Sequence, residues 1–202
     1  MQKFARYEFK YILTKEVSDA IEKDVRNFMQ YDGYVLDEKS NSYFVRSQYF
    51  DNDLLTHFFE KVDGMRNRYK YRIRTYGKNQ SDSNPIFLEK KGRKLERTYK
   101  QRYQIDYNNL DMFYDPYKKE KLLEAYPNVD LIHDFVFDSI RKQTSPIIIV
   151  DYLRTPYVSH FDSNFRLTFD HSLTVGQIDR CNKIYNNQRT THKVLAGYTI
   201  LE

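Results

Sequence analysis

Tyr69-Lys70-Tyr71-Arg72-Ile73-Arg74-Thr75-Tyr76 alternates without a break. A strand sends successive side chains to opposite faces, so Lys70, Arg72, Arg74 and Tyr76 share one face and Tyr69, Tyr71, Ile73 and Thr75 the other. Same-face neighbours lie roughly 7 Å apart. Two cations at that spacing repel by roughly 2 kcal/mol at an effective dielectric of about 20, and by well under about 1 kcal/mol in open water. The cationic face therefore either meets solvent or points inward at something anionic.

The flanking sequence supplies more strands with charged faces. Phe4 to Leu13 alternates, with Arg6, Glu8 and Lys10 on one side. Thr14 is placed to cap a helix carrying Val17, Ala20, Ile21, Val25, Phe28 and Met29, which should stop near Asp32-Gly33. Tyr43 to Asp51 reads as a strand, with Arg46, Gln48 and Phe50 opposite Ser47, Tyr49 and Asp51. Asn52 or Asp53 then caps a short helix holding Leu54, Leu55, Phe58, Phe59 and Val62, closed by Gly64. After the cationic strand, residues 77 to 84 form a polar hairpin loop. Pro85 to Lys91 returns as a strand until Gly92 interrupts it. Thr98 to Asp106 follows, with Lys100, Arg102, Gln104 and Asp106 on one face.

Helices are expected at Pro116 to Tyr126 and at Val129 to Lys142, the second with Leu131, Ile132, Phe135, Val136 and Ile140 at helical spacing. Ile147 to Tyr157 reads as a strand broken by Pro156. Phe165 to Asp170 and Gly197 to Glu202 are strands, and Cys181 to His192 is a loop. Antiparallel strands with helices grouped in two places make an α+β protein. So many hairpin-spaced strands could close into a barrel. Charged faces turned inward would then line a tunnel, with the helices lying on an apolar outer coat.

Composition sets the bounds. The chain has 202 residues, 40% of them hydrophobic and 16% aromatic, which suits one folded domain rather than a disordered segment. A net charge of +5 fits an anionic ligand without demanding one. The single cysteine, Cys181, excludes an intramolecular disulfide and a cysteine zinc cluster. No apolar signal core or bilayer-length stretch is present, so a cytoplasmic protein without a membrane span is expected. The five histidines show no metal-ligand spacing, and no glycine-rich phosphate loop occurs. Any bound nucleotide would have to be held by side chains.

Seven motifs carry a resemblance. They are Arg-Tyr-Glu-Phe-Lys-Tyr (6–11), Arg-Ser-Gln-Tyr-Phe-Asp (46–51), Tyr-Arg-Ile-Arg-Thr-Tyr-Gly (71–77), Phe-Leu-Glu-Lys-Lys (87–91), Asp-Tyr-Leu-Arg-Thr-Pro-Tyr (151–157), Arg-Leu-Thr-Phe-Asp (166–170) and Ile-Leu-Glu (200–202). In this order they resemble the VTC domain, the polyphosphate polymerase domain of the triphosphate-tunnel (CYTH-like) superfamily. The resemblance implies an α+β fold, an antiparallel eight-stranded triphosphate-tunnel β-barrel with helices packed on its outside. It implies one domain over residues 1–202, with the last strand cut short at 202. The activity implied is transfer of the γ-phosphate of ATP to a growing inorganic polyphosphate chain, with Mn²⁺ or Mg²⁺. The partners implied are ATP and polyphosphate, not nucleic acid.

Carried over residue by residue, the catalytic cations are Lys10, Arg72, Arg74, Lys91, Arg154 and Arg166. Lys70, Lys100, Arg102 and Tyr152 are further phosphate-binding candidates. Glu202 matches the metal-binding glutamate, with Glu8 a second candidate. Two departures stand out. Arg6 replaces the first carboxylate of the hydrolase branch, which argues against a two-metal triphosphatase. The family's last strand continues to a further lysine, and its absence here leaves open a non-catalytic module binding polyphosphate, inositol phosphates or nucleotide triphosphates. Read from the residues alone, Glu8 with Lys10 and Arg166 with Asp170 could be plain ion pairs, and Glu89 is a partner for a tunnel cation.

Overall fold

The computed structural model describes residues 4–32, 41–78, 84–177, 184–185 and 192–202, and of these the side chains from residue 7 onward other than that of Gln177. In chain order the first elements are β1 (Phe4–Arg6), β2 (Tyr11–Thr14), α1 (Lys15–Val25), β3 (Met29–Tyr31) and β4 (Tyr43–Asp51). Then come α2 (Thr56–Val62), β5 (Asn67–Thr75), β6 (Ile86–Lys94), β7 (Arg97–Ile105), α3 (Leu110–Tyr114), α4 (Lys119–Ala125) and α5 (Asp130–Arg141). The chain ends with β8 (Ser145–Ser159), β9 (Arg166–Gln177), β10 (His192–Lys193) and β11 (Tyr198–Leu201). The fold is α+β and antiparallel. Eight of the eleven described strands have four residues or more. Among the described residues no helix is long and apolar enough to cross a membrane.

The chain divides into two compact units. The first comprises Met1–Tyr7, Arg46–Ile149 and Gly176–Thr190, and the second Glu8–Val45, Val150–Val175 and Thr191–Glu202. In the first unit, β1, β7, β6, β5 and β4 pair in that order, all antiparallel. One face of this sheet carries Phe50, Tyr71, Ile73, Ile86, Leu88 and Ile105. They pack against Leu110, Phe113, Leu122, Leu131, Ile132 and Phe135 of α3–α5. Burying one such side chain contributes about 1.5–3 kcal/mol, so this helical layer holds the apolar face of the sheet. The buried phenol of Tyr71 donates to Asp138 at 2.9 Å, and Tyr69 donates to the same carboxylate at 2.8 Å. The opposite face is thereby fixed as the cationic one.

In the second unit, β8 runs beside β9, β9 beside β11, and β11 beside β2, while β3 joins β8 and β10 joins β9. A smaller core of Val25, Met29, Tyr157 and Phe169 lies here. Thr14 caps α1, its hydroxyl accepting from the Val17 N–H at 3.4 Å.

Several expectations are corrected. The first strand is two strands, because residues 7–10 leave the extended pairing between β1 and β2. Helix α1 ends at Val25; Met29 belongs to β3, where pairing with β8 buries it, and Val17 and Phe28 stay exposed. Ile140 of α5 is exposed as well. Gly92 does not interrupt β6: it faces Tyr99, whose ring carbons lie where a Cβ would approach to 2.3 Å, so glycine makes room for the ring. Pro156 does not break β8, and its carbonyl accepts from the Asp32 N–H at 3.2 Å. Asp106 lies beyond β7 and caps a 3-10 turn by accepting from the Asn108 N–H. Gly33, residues 79–83 of the expected hairpin loop, and Cys181 with most of the loop at 181–192 lie outside the described residues.

Asp51 joins β4 to α2. Its carboxylate accepts from the N–H groups of Asn52 (2.9 Å), His57 (2.9 Å) and Phe58 (3.0 Å), two of them unpaired donors of the helix start. Asp51→Ala should lower unfolding free energy by about 2 kcal/mol, and Asp51→Asn by less because one acceptor remains. Urea denaturation of the two variants checks the order.

Candidate phosphate-binding site

Strand register decides which side chains meet. Tyr49 of β4 lies opposite Arg72 of β5, Arg72 opposite Glu89 of β6, and Glu89 opposite Arg102 of β7. The flanking rows are Lys70–Lys91–Lys100 and Ser47–Arg74–Phe87–Gln104. Directly opposed residues share a face with Cβ atoms roughly 4.5–5.5 Å apart. Six cations, Lys70, Arg72, Arg74, Lys91, Lys100 and Arg102, thus surround one carboxylate on the face turned away from α3–α5. Opposed like charges are destabilising, and the lysine row is such an arrangement.

Glu89 organises the group. It is fully buried, with 0% exposure, while Arg72 and Arg74 are 7% and 6% exposed. One carboxylate oxygen accepts from Arg72 Nε at 2.7 Å, with Arg72 Nη2 at 2.6 Å and Arg74 Nε at 3.9 Å. The other faces Lys100 Nζ at 2.8 Å and Arg102 Nε at 3.4 Å. Arg74 Nε also donates to Ser47 Oγ at 3.1 Å. Arg72 Nη1 donates to the Tyr49 hydroxyl at 3.0 Å. The Arg102 guanidinium lies 3.4 Å from the Phe87 ring centre and donates to the Tyr76 hydroxyl at 2.9 Å. These contacts lock the rotamers of three arginines.

The charge imbalance shows in protonation. Burial alone pushes Glu89 up, yet Arg72, Arg74 and Lys100 hold its carboxyl well below the usual range. Burial, with Arg72 and Arg74, draws Lys100 down to about 8 against the pull of Glu89. Burial also lowers Lys70.

The remaining candidates lie in the second unit. Arg154 donates from Nε and Nη2 to the two oxygens of Asp170 at 2.6 and 2.7 Å, and from Nη2 to Glu202 at 3.2 Å. Its guanidinium lies 5.3 Å from the Tyr152 ring centre. Lys10 reaches Glu202 at 2.8 Å. These form a second charged group, in which Arg154 and Lys10 face two carboxylates. Arg166 does not join it: its guanidinium is taken by Asp32 just after β3. Asp170, named as an alternative ion-pair partner for Arg166, is the partner of Arg154. Glu8 is partly buried between β1 and β2.

Among the described residues no group of three or more metal-binding side chains occurs. Mg²⁺ and Mn²⁺ need no such cage when phosphate oxygens and water complete their shell, one or two carboxylates being enough. Glu202 offers one such carboxylate, which Lys10 and Arg154 both approach.

Sequence reasoning did not single out Tyr49, Ser47, Phe87, Tyr76, Asp170 or Asp32 as site residues. Alternation alone put Tyr49 and Ser47 on a different face from Arg46. Only the register shows that this face is that of Arg72. Arg46 points to the core side, donating to the Ile184 carbonyl at 3.2 Å.

The folded chain binds the last proton of Glu89 more weakly than the unfolded chain does. Stability tied to Glu89 is therefore present above about pH 4.5 and is lost as pH falls below it. Denaturation between pH 7 and pH 3 should show wild type losing on the order of 2 kcal/mol more than Glu89→Gln. An equal loss in both would remove the role assigned to this carboxylate.

A search of curated protein sequences returned no match. A crystal structure of a Bacillus halodurans protein, provisionally named an adenylate cyclase, is similar at 12% identity and a TM-score of 0.49, covering 100% of this chain and 81% of that one. A family model for the VTC domain matches residues 5–202. The chain belongs to the VTC domain family.

Proposed function

We propose that this chain is a polyphosphate polymerase, which binds the triphosphate of ATP on its cationic face and transfers the γ-phosphate to inorganic polyphosphate. One observation carries the reading: six cations converge on a face whose only carboxylate, among the described residues of β5–β7, is already ion-paired with arginine and lysine. Such a face lowers its energy by taking up an anion with several charges. Membership of the VTC family supports the same reading.

Arg72 and Arg74 act first, because a planar guanidinium fork matches phosphate oxygens, and each charge-assisted bond contributes about 1.5–3 kcal/mol. Glu89 and Ser47 hold both forks in place, so little ordering remains to be done when phosphate arrives. Lys70, Lys91 and Lys100 add point charge along the same face, and Arg102 adds a braced guanidinium at its β7 side. Phosphoryl transfer asks for little else than alignment and neutralisation of charge on the transferred group. On the same reading Lys10 and Arg154 bind phosphate oxygens beside Tyr152, and Arg166 exchanges Asp32 for phosphate. Glu202, with Glu8 as the second candidate, would hold Mn²⁺ or Mg²⁺, which supplies charge neutralisation on phosphate oxygens when bound.

Incubation with ATP and Mn²⁺ should yield ADP and long-chain polyphosphate. Arg72→Lys keeps the charge and loses the fork; it should cut the rate by about 10²–10³-fold, as removal of one preorganised donor does. ADP with orthophosphate alone would assign a triphosphatase. Tight ATP or tripolyphosphate binding without products would assign a binding module.

A further inference from the structure

Tyr49 sits where the cationic face has least anion to spare. Arg72 Nη1 donates to its hydroxyl at 3.0 Å, and the Lys70 ammonium lies 4.6 Å from its ring centre. Charged groups near it come from the strands on its β5 side, from β4 itself and from α2. Strand β5 presents Lys70, Arg72 and Arg74. On β6, Glu89 is bound to Arg72, and on β7, Lys100 is bound to Glu89. On β4 the nearest carboxylate, Asp51, is committed to the backbone N–H groups of Asn52, His57 and Phe58. Lys61 of α2 adds its charge at Lys70. Tyr49 therefore faces three cations, while Glu89 and Asp51 are engaged elsewhere.

Burial alone would push the Tyr49 phenol up, but Arg72, Lys70 and Arg74 together draw it down to about 7. Burial moves Tyr69, Tyr71, Tyr99, Tyr114, Tyr157 and Tyr185 the other way. An oxyanion at Tyr49 and a phosphate oxygen would compete for the same guanidinium and ammonium, and they would repel each other.

We propose that Tyr49 is the proton-linked counter-anion of the cationic face: ionised above neutral pH while the face holds no polyanion, it takes up one proton from solvent when a triphosphate or polyphosphate chain settles against Arg72 and Lys70. Only an O–H bond forms, between the phenolate oxygen and a solvent proton; Arg72 and Lys70 keep their protons and exchange one anionic partner for another. The inference rests on the phosphate-binding reading of this face. By linkage, whatever makes phosphate favour the protonated phenol makes a rising pH oppose phosphate.

Near-ultraviolet tyrosinate absorbance of the whole chain, with and without inorganic tripolyphosphate, tests it. Without phosphate, the chain should show one tyrosinate titrating near pH 7, well below the ordinary tyrosine value of about 10. Saturating tripolyphosphate at pH 8 should abolish it, and Tyr49→Phe should lack it. The affinity of wild type for tripolyphosphate should fall by up to about tenfold more per pH unit above pH 8 than that of Tyr49→Phe. The ligand's own titration is common to both proteins and cancels. If Tyr49→Phe does not fold, the wild-type spectra decide alone. Absence of tyrosinate at pH 8, or a tyrosinate that persists at saturation, overturns the proposal and leaves the phosphate reading standing. Failure of tripolyphosphate to bind at any pH overturns both.

Discussion

A carboxylate with no exposure, gripped by three guanidinium groups and an ammonium, is the constraint on which the first unit turns. Glu89 meets Arg72 at 2.7 Å and Lys100 at 2.8 Å, with Arg102 at 3.4 Å and Arg74 at 3.9 Å. Removing such a charge from water is expensive, and its attraction to one partner rarely offsets the cost by a wide margin. Here one anion is shared among four cations, so positive charge is left over. A core would not be built this way for stability alone, since an apolar residue of similar volume does as well. What Glu89 provides is order: cations that would repel one another are held in fixed rotamers on adjoining strands.

The other face of the same strands makes that order possible. Tyr71, Ile73 and Leu88 are buried against the helices, which fixes the pleat and so the direction of Arg72, Arg74 and Glu89 between them. A slip of one residue in β5 would exchange these sets and bury cations against Phe135. The hydrogen bonds of Tyr69 and Tyr71 to Asp138 guard against that slip, because a displaced strand would leave buried polar atoms without partners. The charged group of the second unit is built differently. Arg154 holds two carboxylates and Lys10 shares one of them, so cation and anion are close to balance. The uncompensated positive charge belongs to β5–β7.

The alternation at 69–76 was legible because a strand has a period of two, whatever it pairs with. The Thr14 cap and the buried stripe of α5 were legible for a similar reason: they depend on spacing within a few residues. Pairing was not. Tyr49 entered the site only through its register with Arg72, which turn lengths and packing set and no local pattern encodes. Met29 had helical spacing to Val25 but is buried as part of a strand, so tertiary packing overrode the local signal. Gly92 and Pro156 are usually strand punctuation, yet one accommodates the Tyr99 ring and the other keeps a paired carbonyl. The alternative of an ion pair for Arg166 named Asp170, whereas the partner is Asp32, which is distant in sequence and follows a strand the spacing did not reveal.

The central claim is that the excess positive charge around Glu89 exists to hold a chain of phosphates. A crystal structure of the whole chain soaked with tripolyphosphate addresses it most directly. The account expects phosphate oxygens within hydrogen-bond distance of Arg72 and Arg74, with Glu89 still bound to Arg72. Phosphate density confined to other surfaces, with these two arginines bonded only to protein atoms and water, would contradict it.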